Sequence, residues 1–140
     1  MQADRFHATD KVIDALYTEA MLLADEARGY FDSVGHDDRA AMPPLERVTF
    51  SCESLKVTTR LMHVVAWLLS RRNGAQTSNP LSAASESGTA ELASLPHEAQ
   101  LIVKASADLY DRVSRLDERL GEDLGESPVL GLQNRLARAF

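Results

Sequence analysis

Glu53-Ser-Leu-Lys-Val-Thr-Thr-Arg-Leu-Met-His-Val-Val-Ala-Trp-Leu-Leu69, set within the longer stretch Pro43–Arg72, decides the fold class of this 140-residue chain. Apolar residues recur through it at three- and four-residue spacing: Leu45, Val48, Cys52, Leu55, Met62, Ala66 and Leu69, with Thr59 the polar member of the series. At about 100° per residue they share one arc, which predicts a long amphipathic helix with that arc toward the core. A second apolar arc, Phe50, Val57, Leu61, Val64 and Leu68, lies roughly 160° away. Ser51, Ser54 and Thr58 separate the arcs on one side, and Glu53, Lys56, Arg60, His63 and Arg71 form a polar wedge on the other. A helix with two apolar faces needs partners on both. Two neighbours in a bundle subtend a narrower angle than these arcs, so the second arc is a candidate homodimer surface.

Working outward, the length suits one domain, residues 1–140, with a single sizeable core. A hydrophobic content of 44%, supplied mostly by Leu and Ala, favours an ordered helical protein. The formal charge of −6 argues against a nucleic-acid partner, which calls for a basic face to neutralise phosphate. Cys52 stands alone, cannot form an internal disulfide, and falls on the arc assigned to the core, where it reads as a small buried apolar residue. Met1–Ala8 has no apolar run behind its charges and is not a signal peptide. The longest apolar stretch, Leu61–Leu69, contains His63 and reaches about half the length of a membrane span. The expectation is a cytoplasmic protein.

In chain order, Thr9 or Asp10 caps a first helix of about 9–34, with Ile13, Leu16, Tyr17, Ala20, Leu23, Ala24, Ala27, Tyr30, Phe31 and Val34 on its apolar face. A short connection, 35–42, favours an antiparallel neighbour. Pro43-Pro44 opens the second helix, about 43–72, and Asn73-Gly74 closes it behind the dipole-complementing Arg71-Arg72. Residues 73–94 are small and polar, punctuated by Gly74, Pro80 and Gly88, and read as a long mobile loop. A third helix of about 95–120 carries the stripe Ile102, Ala105, Leu109, Val113, Leu116 and Leu120 and stops at Gly121. In the tail, 121–140, Val129, Leu132, Leu136 and Phe140 share one side of a short helical segment that must dock to be stable. That dock is either the bundle itself or a partner's groove. The fold expected is all-α: an antiparallel three-helix bundle with a mobile loop between helices two and three and a short C-terminal helical segment.

Chemistry is thin. His7, His36, His63 and His97 are scattered, none at metal-ligand spacing from another or from Cys52. The carboxylate pairs Asp25-Glu26, Asp37-Asp38 and Glu122-Asp123 suit solvated faces and turns better than acid–base work. No phosphate loop and no Gly-x-Ser-x-Gly is present. No enzyme, metal or cofactor is expected. Arg60 and Trp67 project toward the polar wedge. They are either a core-margin Trp beside an Arg paired with a neighbouring carboxylate, or part of a protein-binding face, since both types are enriched at interface hot spots.

Glu53–Met62 followed by Trp67-Leu68-Leu69 resembles the central-helix signature of the RcdA family, the regulators of CtrA degradation. The likeness extends forward to Leu95-Pro96 and Arg112–Asp117 and back to Tyr17, Glu19-Ala20-Met21 and Tyr30-Phe31-Asp32, covering roughly residues 6–120. It implies a cytoplasmic three-helix-bundle adaptor, without enzymatic activity, that helps deliver cell-cycle regulators to the ClpXP protease with a response-regulator partner. The Gly/Ser/Ala-rich 73–94 and the tail after Leu120 depart from that pattern. The expected protein-binding residues are therefore Arg60, His63 and Trp67, the arc Phe50, Val57, Leu61, Val64 and Leu68, and Leu132, Leu136 and Phe140 of the tail. Two other classes stand beside the adaptor: a structural homodimeric scaffold, and a small-ligand sensor with a pocket near Tyr17, His63 and Trp67.

Overall fold

Residues 2–74, 81 and 86–125 are described by the computed structural model, and within them the chain is all-helical. Its elements are α1 (Gln2–Phe31), α2 (Val34–Ala40), α3 (Pro44–Arg72), α4 (Thr89–Ala93) and α5 (His97–Gly125).

α1 starts well before the expected Thr9 and stops at Phe31, where the N–H groups of Asp32 and Ser33 turn back to the carbonyls of Arg28 and Tyr30. The short helix α2 then occupies what the sequence reading gave to a plain connection. Gly35 makes this fold-back feasible: a Cβ there would stand 2.8 Å from the Tyr30 carbonyl oxygen and 2.9 Å from its ring. The Tyr30 hydroxyl donates to Asp38 of α2 at 2.9 Å. Burial, reinforced by the bond to Asp38 and its charge, holds that phenol well above its ordinary titration range.

Pro44 takes the first turn of α3, where no backbone donor is needed. Gly74, at φ +76°, closes it in the left-handed conformation, with its N–H returning to the Arg71 carbonyl. α5 continues past Gly121 to Gly125, since the five residues after Leu120 stay helical.

The three long helices pack on one another. Tyr30 and Phe31 meet Phe50, and Arg72 meets Asp14, so α1 and α3 are antiparallel. Arg112 of α5 binds Glu19 of α1, while Glu98 lies close enough to Tyr30 to act on it electrostatically, so α1 and α5 are antiparallel too. α3 and α5, however, run the same way: Arg60 meets Ser106, and both Trp67 and Arg71 meet Asp117. The expectation that all neighbours are antiparallel therefore fails for this pair. A parallel pair requires a long crossover, and that is the physical reason for the length of segment 73–96. Its described part climbs the α3–α5 seam, from Leu81 beside Asp117, past Ser87 beside Arg60, to the buried Leu95. Residues 75–80 and 82–85 of the expected mobile loop, and the tail beyond 125, lie outside the described residues.

The core is one cluster drawn from all three long helices, including Leu16, Ala20 and Leu23 of α1, Val57, Val64 and Leu68 of α3, and Ile102, Leu109 and Val113 of α5. Burying one such Leu contributes about 1.5–3 kcal/mol. No described helix is long and apolar enough to cross a membrane.

Candidate functional site: the outer face of α3

The two arcs of α3 exchange roles relative to the sequence reading. Phe50, Val57, Leu61, Val64 and Leu68, proposed there as a homodimer surface, are all buried within the single chain. This is a correction: they are core. Leu45, Val48, Leu55, Met62 and Leu69, expected in the core, are exposed, and so is Cys52. The reason is width. A helix touching two neighbours must bury a broad arc, and the buried face spans Glu53, Arg60 and Trp67 as well as the apolar residues.

Glu53 and Arg60 are only 2% and 4% exposed. Burying such groups is costly unless their polar atoms find partners. The crossover supplies them. Ser87 donates to Glu53 and accepts from Arg60 at 3.3 Å; Lys56 reaches Glu53 at 3.0 Å and the Glu86 carbonyl at 3.1 Å. From α5, the Ser106 hydroxyl accepts from Arg60 at 3.2 Å while donating to the Val103 carbonyl. Arg60 thus meets hydroxyls of both the crossover and α5. Trp67 donates its indole N–H to Asp117 at 3.1 Å, and the Arg71 guanidinium lies 5.2 Å from the ring centre. Asp117 also accepts from the Leu81 N–H. These polar groups tie the crossover to the seam, so Arg60 and Trp67 serve packing and are not on a free surface.

His63 is exposed on the flank of the outer stripe. Leu132, Leu136 and Phe140 lie outside the described residues. The three residues proposed for a sensor pocket do not converge: Tyr17 stacks with Arg72, Trp67 turns toward Asp117, and His63 faces solvent. Among the described residues no group of three or more His, Cys, Asp or Glu could hold a metal ion. On the α1–α5 side, Arg112 joins Glu19 and Asp108, and the first of these bonds raises its pKa.

Among the described residues, the outer face of α3 remains open. Its positions 45, 48, 52, 55, 59, 62, 66 and 69 repeat every seven residues, the a/d pattern of a coiled-coil seam, over about 36 Å of helix. Met62 is 63% exposed and Leu55 66%. Beside this stripe runs a groove of about 630 Å³ between α1 and α3, lined by Ala24, Phe31, Leu61, Val65 and their neighbours. The heptad spacing was visible in the sequence. What hid its meaning was the polar content of the opposite face, which reads as solvent-facing until Ser87 and Ser106 are placed against it.

The fold defines an all-helical protein with an apolar stripe exposed along α3, and the comparisons agree on its family. Residues 4–140 match the family described as "Protein of unknown function (DUF1465)". The chain is similar to the crystal structure of RcdA from Caulobacter crescentus CB15, at 32% identity and a TM-score of 0.63, covering 84% of this chain and 95% of that one. No curated protein matches. The chain belongs to the RcdA-like family.

Proposed function

We propose that this chain is a non-enzymatic adaptor of the cytoplasm, serving ClpXP-dependent proteolysis of cell-cycle regulators by bringing a substrate protein and the protease assembly together. Its partners would be the protease, a response-regulator protein and the substrates. Family membership supplies the direction of this reading, and the single observation that carries it is the apolar stripe left open along α3. Large contiguous apolar exposure on a single chain marks an interaction surface. The test is capture of ClpX or a response regulator from cytoplasmic extract by the intact chain and by a chain truncated after Gly121. Recovery by the intact chain supports the adaptor, and loss on truncation places a contact in the tail. Recovery of neither partner refutes it.

The heptad period of the stripe favours one second reading, a homodimeric scaffold joined through α3, because a 3.5-residue repeat is what a two-helix seam requires. A sedimentation mass of two chains that persists on dilution, together with failure to capture protease components, supports that reading over the first.

A further inference from the structure

The crossover between α3 and α5 is held to the bundle differently from the helices it joins. α4 buries none of its side chains, and of its residues Leu92 alone packs partly against the core. Just before α4 the contacts are polar: the Ser87 hydroxyl meets Glu53 and Arg60, and the Glu86 carbonyl meets Lys56. Both ends are anchored, one by the Leu81 N–H on Asp117 and the other by the buried Leu95. Behind Glu86, Ser87 and Leu92 lies a cavity of about 260 Å³, walled on the bundle side by Arg60, Val103 and Ala107.

A segment with few buried apolar contacts opens at a fraction of the cost of global unfolding. Here the charges it would leave behind also find substitutes. Glu53 keeps Lys56, and Arg60 keeps Ser106. One hydroxyl stands between the Glu53 carboxylate and the Arg60 guanidinium, so its withdrawal lets the two opposite charges close on each other. The three long helices share one apolar cluster and have no such substitute for its loss. We propose that residues 86–93 are a strap, hinged at Leu95-Pro96 and clasped by Ser87, that swings off the α3–α5 seam as a unit while the long helices stay packed. In the open form the seam presents Glu53, Arg60 and Val103, so α3 has one face always exposed and a second one gated. The inference rests on the seam alone and holds whether or not the chain is an adaptor.

Thiol accessibility reads the strap directly. In the full chain carrying Cys52→Ser, one cysteine is introduced either by Val103→Cys, behind the strap, or by Val64→Cys, a core position that does not line the cavity. Val103 is 2% exposed and Val64 0%, so a soluble disulfide reagent reaches either thiol only through an opening. The Val103→Cys chain should label about tenfold or more faster than the Val64→Cys chain. Adding Ser87→Ala removes the clasp and should raise the Val103→Cys rate about tenfold further, leaving the Val64→Cys rate unchanged. Hydrogen exchange on the chain without cysteine substitutions provides the second measurement. The Leu92 N–H, bonded to the Gly88 carbonyl at 3.0 Å, should exchange faster in Ser87→Ala by the same factor, because the strap moves as one piece. Equal labelling of the two cysteine chains overturns the inference, since only global unfolding would then uncover Val103. An equal rise at both positions on Ser87→Ala overturns it too, as does no rise at Val103. Exchange at Leu92 that ignores Ser87→Ala would show α4 fraying by itself, with no clasp, and would equally refute the strap.

Discussion

Leu68→Ala and Leu55→Ala, made separately, distinguish the buried face of α3 from the open one. Leu68 is 0% exposed, and trimming it to alanine removes three buried carbons, about 2.4 kcal/mol of transfer free energy at roughly 0.8 per group. The cavity left in a core drawn from three helices raises the cost to about 3–4 kcal/mol. Leu55 is 66% exposed, so about a third of that transfer term is at stake, and alanine's better helix propensity offsets part of it. Its net cost should be about 0.5 kcal/mol or less. At about 4 °C per kcal/mol for a chain of this size, the midpoints should fall by roughly 12–16 °C for Leu68→Ala and by about 2 °C or less for Leu55→Ala. Urea unfolding followed by circular dichroism, at two protein concentrations, measures both. Comparable costs at the two positions would refute the assignment of faces. A Leu55 cost that grows with concentration would instead show the stripe buried by a second copy.

Gly35→Ala should destabilise by about 1–3 kcal/mol, because its Cβ meets the Tyr30 carbonyl and ring; thermal melts report the loss. Trp67→Phe keeps most of the ring's packing but removes the donor to Asp117, for an expected loss of about 1 kcal/mol in urea unfolding. Tyr30 also sets an alkaline limit. Its phenol pKa is raised on folding, so its stabilisation is fully present below the ordinary value of 10.0 and is lost as pH rises above it, where the unfolded phenol ionises first. Stability measured from pH 8 to 11 should therefore fall less steeply in Tyr30→Phe than in the parent chain.

The helical class and the extents of the longest segments were legible because Leu- and Ala-rich stripes at 3.6-residue spacing have few other readings. The starts at Pro44 and near Pro96 and the stop at Gly74 were legible for the same local reasons. Orientation was not. Both arcs of α3 are apolar, and the choice between them depends on Ser87 and Ser106, which lie 27 and 46 residues from Arg60. A helical wheel carries no information at that separation, so Glu53 and Arg60 read as solvent-facing and pushed the wrong arc inward. The short α2 escaped because its seven residues hold no apolar repeat, only a glycine whose value lies in its approach to Tyr30. The parallel course of α5 was signalled by the length of 73–94, which was read as mobility. In the structure its described residues follow the α3–α5 seam and supply the polar contacts that allow Glu53 and Arg60 to be buried.

That α3 presents an unoccupied docking face is tested most directly by partner capture with Leu55→Glu/Met62→Glu beside the parent chain. Both substitutions fall on exposed sites, so an unchanged helical spectrum and melting midpoint establish that the fold is intact. The account predicts that the parent recovers ClpX or a response regulator from cytoplasmic extract and that the double variant recovers neither. Equal recovery by the two chains would contradict it, and would move the contact surface away from α3.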